Sequence, residues 1–195
     1  MTQDSSLGRI RWPLAGLGLG TPANLAFLSP ARRSRLGRTI LLSAVIGPMM
    51  AVVVLGLDRL LFSGDSLVRL RTLGAMPWIV RLGIVAFSSV GEELIYRLGV
   101  STLVASLAFL ALRKHSERAA QASIWLGIAV ASVLFGFSHV GNAPNAAHPI
   151  LRALTLNGLA ALVLGWLYWY RGLEAALVAH FAADATIYLA IASLL

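Results

Sequence analysis

The chain contains no cysteine, and only 12% of its 195 residues are charged. Without cysteine, a disulfide framework, a thiolate metal site and a cysteine nucleophile are all excluded. Sparse charge, 58% hydrophobic residues and a mean hydropathy of +0.80 together lie outside the usual range of soluble domains. The composition therefore predicts an integral membrane protein.

Apolar runs that approach or reach the roughly 20 residues of a membrane span occupy most of the chain. Four such runs cover residues 39–57, 123–137, 153–170 and 175–195. The stretch 77–112 is either two spans or one long broken helix, because a single helix of this length would measure about 54 Å. The sequence thus predicts an all-α, polytopic transmembrane helical bundle of five or six spans.

The net charge of +8 comes from basic residues that cluster beside the apolar runs. Such clusters fix membrane topology by the positive-inside rule, and the interleaved aromatic residues of a single-strand binder are absent. We therefore expect the lipid bilayer, and no nucleic acid, as the partner of these charges. The clusters are Arg9, Arg11, Arg32, Arg33, Arg35 and Arg38 before the first run, and Arg113, Lys114 and Arg118 in a polar break.

Residues 1–38 are predicted to form a basic N-terminal tail, flexible or interfacial, because they contain several prolines and glycines. They are too long, and too rich in arginine near their end, for a cleaved signal peptide. The run 39–57 should therefore remain as a membrane anchor. Residues 39–195 then form a single membrane-embedded domain.

Three charges interrupt the apolar stretch VGEELIYRLG, which covers residues 90–99. Each charge at mid-membrane costs roughly 2.5 to 3.5 kcal/mol, so such residues face a protein interior or an aqueous cavity. In a helix, Glu93 and Arg97 stand at i and i+4 in the favourable order for an ion pair, while Glu92 points about 100° away. We expect Glu92 to be free for chemistry. Anchoring of the helix at an interface is the alternative explanation of all three charges.

Two further motifs place histidines in apolar runs. FGFSH spaces Phe135 and His139 at i and i+4, so the phenyl ring can pack against the imidazole. HFAAD places His180 and Asp184 on one helix face, about one turn apart. Each histidine alone is typical of a satisfied polar residue. Together with Glu92, they predict one polar cavity that is lined by side chains from three helices.

A carboxylate and a neutral imidazole that converge on a water molecule can deprotonate it for attack on a peptide carbonyl, while further donors stabilise the oxyanion. Alternatively, two histidines with carboxylates can ligate Zn²⁺ and lower the pKa of its bound water. The ligands would then be Glu92, His139, His180 and Asp184. No short-spacing zinc motif occurs in the sequence, so these ligands would come from separate helices. The residues leave both chemistries open.

The sequence contains, in this order, the motifs EELIYR, FGFSH and HFAAD. They resemble the motifs EExxxR, FxxxH and HxxxN/D of the CPBP family. This family comprises the CAAX-protease and bacteriocin-processing intramembrane proteases. The resemblance spans roughly residues 78–190. It implies that residues 39–195 are a protease domain that hydrolyses a peptide bond of a membrane-associated peptide or protein. A bacterial inner membrane is the location that it implies.

The resemblance also implies roles for the polar residues. Glu92 and His139 would activate water, and His180 with Asp184 would form the oxyanion or orienting pair. The supporting residues would be Glu93, Arg97 and Phe135. The family is described both as metal-dependent and as metal-free, so a divalent metal such as zinc stays open as a cofactor. Since an ionised aspartate cannot donate to an oxyanion, Asp184 would be protonated, bind a metal, or hold His180 in its tautomer.

Two other classes of protein are alternatives. Ser138 and His180 faintly resemble the serine and histidine dyad of rhomboid proteases, a scheme that gives the two glutamates and Arg97 no function. A non-catalytic membrane protein, such as a bacteriocin-immunity factor, a partner-binding scaffold or a small transporter, is the second alternative. Ionisable residues within membrane helices also mark proton and ion paths.

Overall fold

The computed structural model describes residues 30–62, 66–112, 117–143 and 146–194. Residues 1–29 of the predicted tail lie outside the described residues, as do Arg113 and Lys114 of the polar break. Residues 30–38 belong to the first helix, which is continuous with the predicted anchor 39–57. The helix therefore begins before the apolar run does.

The described residues form an all-α bundle in which no strand occurs. Five of its helices are long and apolar enough to cross a membrane. This confirms an all-α polytopic membrane protein and gives five spans for the described part of the chain. The helices are α1 (Pro30–Leu61), the short α2 (Ser66–Gly74), α3 (Trp78–Leu112), α4 (Glu117–Ser138), α5 (Pro149–Arg171) and α6 (Leu173–Leu194).

Helix α3 is the stretch that the sequence left as two spans or one, and it is a single helix. It changes to π-helical geometry over Leu94–Ser101 and returns to α-helical geometry at Thr102. The Thr102 hydroxyl donates to the Arg97 carbonyl, 3.1 Å away and five residues back. The wider π turn keeps the chain helical through Arg97 and Gly99, where the two-span alternative placed its break. At 35 residues, α3 exceeds a roughly 30 Å hydrocarbon core and must tilt or project beyond it.

Large apolar side chains cover the outside of the bundle, whereas charges in the middle of the spans lie inside it. Phe87 and Leu110 are 84% and 69% exposed, whereas Glu93 and Arg97 are 0% exposed. Small residues allow the helices to approach closely, since lipid provides no hydrophobic drive to pack large ones. This close packing is clearest where α1 meets α6, whose inward face carries the fully or almost fully buried residues Ala175, Ala176, Ala179 and Ala183.

Helices α3 and α6 are antiparallel, and they place their polar residues at the same depth. Near the start of α3, Arg81 Nη1 donates to the Tyr188 carbonyl at 2.9 Å and to Ser193 Oγ at 2.8 Å, near the end of α6. Glu92 lies 14 residues after the start of α3, and His180 lies 14 residues before the end of α6. Both therefore lie about 21 Å along their helices from the same side of the bundle.

Helix α4 ends at this depth, directly before His139. The chain continues as a short 3₁₀ turn, Val140–Asn142, before α5 begins at Pro149. Non-helical backbone is tolerated at membrane depth only where protein or an aqueous cavity satisfies it. Ser138, His139 and Asn142, at and just beyond the end of α4, line a cavity in the bundle.

Replacement of Gly47 by alanine is expected to destabilise the bundle. A Cβ there would lie 2.8 Å from Ala182 Cβ and 2.9 Å from the Ala183 nitrogen, and would clash with the Ala179 carbonyl. Separating α1 from α6 should cost about 1 to 3 kcal/mol, as overpacking typically does. Thermal unfolding of the purified protein in detergent measures the loss.

The matched control is Gly56→Ala in the same helix, where an added Cβ meets no atom within 4 Å. This variant should unfold at or slightly above the wild-type temperature, because alanine favours the helix. Equal midpoints for Gly47→Ala and wild type would contradict the close α1–α6 packing.

Candidate active site

A buried ion pair lies at the base of the polar site. Arg97 Nε is 3.1 Å from Glu93 Oε2, and both side chains are 0% exposed. The Arg97 guanidinium also lies over the Phe135 ring, with Cζ 5.1 Å from the centroid, within the range of a cation–π interaction. The predicted pairing at i and i+4 is therefore present, and it couples α3 to α4.

The second oxygen of Glu93 holds His180 of α6. His180 Nδ1 lies 2.9 Å from Glu93 Oε1, so the ring nitrogen donates to the carboxylate. This contact orients the imidazole and leaves Nε2 facing the cavity. Nε2 lies 3.7 Å from Glu92 Oε2 and 3.7 Å from Asp184 Oδ2.

His139, which directly follows α4, is oriented by the last turn of that helix. Its Nδ1 lies 2.8 Å from the Phe135 carbonyl, which can only accept, so Nδ1 carries the proton in this arrangement. The ring stacks on Phe135, with centroids 4.5 Å apart and 25° between the planes. Nε2 then faces Glu92, 3.8 Å from Oε2. The spacing of FGFSH correctly predicted this stacking.

Both histidines therefore direct Nε2 at one oxygen of Glu92, whose side chain is 26% exposed. Separations of 3.7 and 3.8 Å are too long for direct hydrogen bonds and bring all three atoms within reach of a shared water molecule. These side chains line a cavity of about 410 Å³, a size typical of ligand sites. The structure thus brings Glu92, His139 and His180 together, from three helices.

Asp184 lies at the edge of this cluster. Its Oδ2 accepts a hydrogen bond from Ser88 Oγ at 2.9 Å. A carboxylate in this position adds negative charge beside His180 without holding the ring, since Glu93 already binds Nδ1. Ser88 was missed by the sequence analysis. It stands one turn before Glu92 on the same helix face, and that spacing is the signal that would have found it.

The described residues do not include three or more His, Asp or Glu side chains grouped closely enough to hold a metal ion. The donor types fit zinc, but their placement as it stands does not. We therefore derive no catalytic step through a metal.

The serine alternative also finds no matching geometry in the described residues. Ser138 Oγ donates to the Phe135 carbonyl at 2.8 Å and lies 3.1 Å from His139 Nδ1. The polar contacts of His180 are with Glu92, Glu93 and Asp184 instead. A serine and histidine dyad is therefore not formed between Ser138 and His180.

Loss of Arg97 is expected to destabilise the protein strongly. Arg97→Ala leaves Glu93 as a buried carboxylate without its cation, which should cost about 3 to 5 kcal/mol. The double variant Glu93→Gln with Arg97→Met removes both charges, and should recover much of that loss. Thermal unfolding and the yield of monodisperse protein in detergent measure both variants. A double variant no more stable than Arg97→Ala would show that the stranded charge is not the cause.

Comparison with known proteins finds one matching family model. Residues 74–186, more than half of the chain, match the family described as Type II CAAX prenyl endopeptidase Rce1-like. No curated protein and no solved structure matches the chain. All three polar motifs lie within the matched residues. The chain therefore belongs to the Rce1-like family of type II CAAX prenyl endopeptidases, as the resemblance to CPBP intramembrane proteases predicted.

Proposed function

We propose that this protein hydrolyses a peptide bond of a membrane-associated substrate with a water molecule activated by Glu92 and His139. The family identifies an intramembrane endopeptidase of the CAAX type, and the chain is an integral multi-pass membrane protein. The observation that carries the catalytic assignment is the approach of two imidazole Nε2 atoms to one oxygen of Glu92.

The water would donate one hydrogen bond to Glu92 and one to His139 Nε2. Nε2 is free to accept because the His139 Nδ1 proton is bound to the Phe135 carbonyl. With both protons held, a lone pair of the water oxygen can attack the carbonyl carbon of the substrate. Glu92 takes one proton from the water and later returns it to the leaving nitrogen as the C–N bond breaks.

His180 would stabilise the oxyanion that forms on the carbonyl oxygen. Three carboxylate oxygens lie within 4 Å of its ring nitrogens, at 2.9, 3.7 and 3.7 Å. These negative charges favour the imidazolium, whose Nε2–H can donate to the oxyanion while Nδ1–H stays bound to Glu93. Glu93 and Arg97 thus act by positioning His180, and Asp184 acts through its charge.

The substrate is a membrane-associated peptide or protein, and a bacterial inner membrane is the location that we propose. Bacteriocin leaders and membrane-anchored regulators fit a chain of this kind at least as well as a prenylated protein. Comparative proteomics of membranes that contain wild type or Glu92→Gln identifies the substrate as the precursor that accumulates in the variant.

Glu92→Gln should abolish turnover and leave the protein folded. The amide keeps the shape of the side chain but cannot accept a proton from water, so kcat/KM should fall by about 10²- to 10⁴-fold. Cleavage of an identified substrate by purified protein in detergent measures the loss, and the unfolding midpoint reports on folding.

Ser138→Ala is the control for the serine alternative. It removes the hydroxyl but leaves Glu92, His139 and His180 in place, so its kcat/KM should stay near the wild-type value. Near-normal cleavage by Glu92→Gln together with an inactive Ser138→Ala would reverse the assignment of the catalytic group.

Asp184→Asn should retain most of the activity, within about tenfold of wild type, because the Glu93 carboxylate continues to stabilise the His180 imidazolium. Asparagine also provides an N–H donor beside the oxyanion. The measurement is kcat/KM of both proteins with and without a chelator. The opposite result has two parts: a chelator inhibits the wild type and added Zn²⁺ restores its activity, and Asp184→Asn is inactive. That result would assign Asp184 to a metal site.

A further inference from the structure

A second, smaller cavity of about 90 Å³ lies beside the catalytic cavity and shares lining residues with it. We call it the polar branch. It lies where the ends of α1, α4 and α6 and the start of α5 meet the short helix α2. The polar residues common to the two cavities are Arg69, Asn142, Asn157 and Tyr188.

Two of the three charged residues that the structure describes in the polar branch form an ion pair. Arg152 Nε donates to Asp58 Oδ1 at 2.6 Å, and their side chains are only 8% and 1% exposed. This ion pair links α1 to α5 at the lining of the polar branch. Arg69 is the third charged residue described there, and it adds a positive charge beside this pair.

Arg69 forms no ion pair and no hydrogen bond with any residue that the structure describes. Its side chain is half-buried, and His139 and Tyr188 lie within range of its charge. Because Arg69 lines both cavities, its charge is available to an anion that enters them. In the same helix, Arg71 is exposed and lines neither cavity.

Charges of both signs line the combined cavity. Glu92 and Asp184 lie beside the proposed catalytic water and repel a substrate anion, even though His180 is close to both carboxylates. Arg69 lines both cavities and attracts such an anion. A substrate with one carboxylate would thus enter in one orientation.

We propose that Arg69 binds a carboxylate of the substrate and thereby determines which peptide bond lies beside Glu92. The inference rests on the proposed function. A carboxylate has two sources in a peptide, the C-terminus and an aspartate or glutamate side chain, and both fit a planar guanidinium with paired N–H donors.

The test measures peptide binding without turnover, in the Glu92→Gln background. Three fluorescently labelled octapeptides of alanine and leucine serve as probes. The first ends in a free carboxylate, the second in a carboxamide, and the third in a carboxamide with glutamate at the penultimate position. Fluorescence anisotropy in detergent gives the Kd of each for the parent protein, Arg69→Gln, Arg69→Lys and Arg71→Gln.

A carboxylate peptide should bind the parent at least about tenfold more tightly than the neutral carboxamide, as a charge-assisted hydrogen bond allows. Arg69→Gln should remove this advantage, Arg69→Lys should restore part of it, and Arg71→Gln should leave it intact. An advantage for the free acid alone assigns the C-terminus, whereas an advantage for the glutamate peptide assigns a side chain. Equal Kd values for all three peptides, or a preference that survives Arg69→Gln, would overturn the proposal.

This design distinguishes a failure of the proposed peptidase mechanism from a failure of the proposed carboxylate binding by Arg69. If wild type cleaves no peptide but the preference depends on Arg69, the peptidase mechanism is wrong and the carboxylate site stands. If wild type and Arg69→Gln cleave the acid and the carboxamide with the same KM, the mechanism stands and Arg69 has no part in recognition.

Discussion

The buried pair between Glu93 and Arg97 determines where the rest of the polar site lies. Two charges at 0% exposure in a membrane bundle are tolerated only while each compensates the other. Glu93 uses its second oxygen to hold His180, and Arg97 lies over the ring of Phe135, which stacks on His139. One ion pair on α3 thus holds His180 of α6 directly and reaches His139 through the ring of Phe135.

Both histidine rings are oriented through Nδ1, but each by a different partner. In each ring Nδ1 is bound to an acceptor, a carboxylate for His180 and a backbone carbonyl for His139, and Nε2 faces Glu92. In the proposed mechanism this difference in acceptor corresponds to a difference in charge. A carbonyl partner leaves His139 neutral and able to accept a hydrogen bond from the water, whereas the surrounding carboxylates favour a positively charged His180 that donates one to the oxyanion. Glu92, which takes the proton, lies between the two rings.

The sequence indicated the site because charges such as Glu92 and Arg97 are conspicuous in apolar runs. It left five or six spans open, because hydropathy does not show that a π-helical segment continues α3 through Arg97 and Gly99. Ser88 was missed because serine is common in membrane helices and carries no charge. Arg69 was missed for another reason: its place in the cavity depends on how the short helix α2 packs, and no local pattern encodes that contact.

The π-helical segment of α3 has a consequence for the helix as a whole. Positions four residues apart drift by about 40° around an α-helix, so a stripe with this spacing would spiral away from the bundle. A π-helix has more than four residues per turn and drifts in the opposite sense, which cancels much of the rotation. The stripe of almost completely buried residues therefore runs nearly straight for more than five turns: Val85, Ser89, Glu93, Arg97, Ser101 and Ala105. The segment thus lets one helix face carry both the Glu93–Arg97 ion pair and the small residues that pack against neighbouring helices.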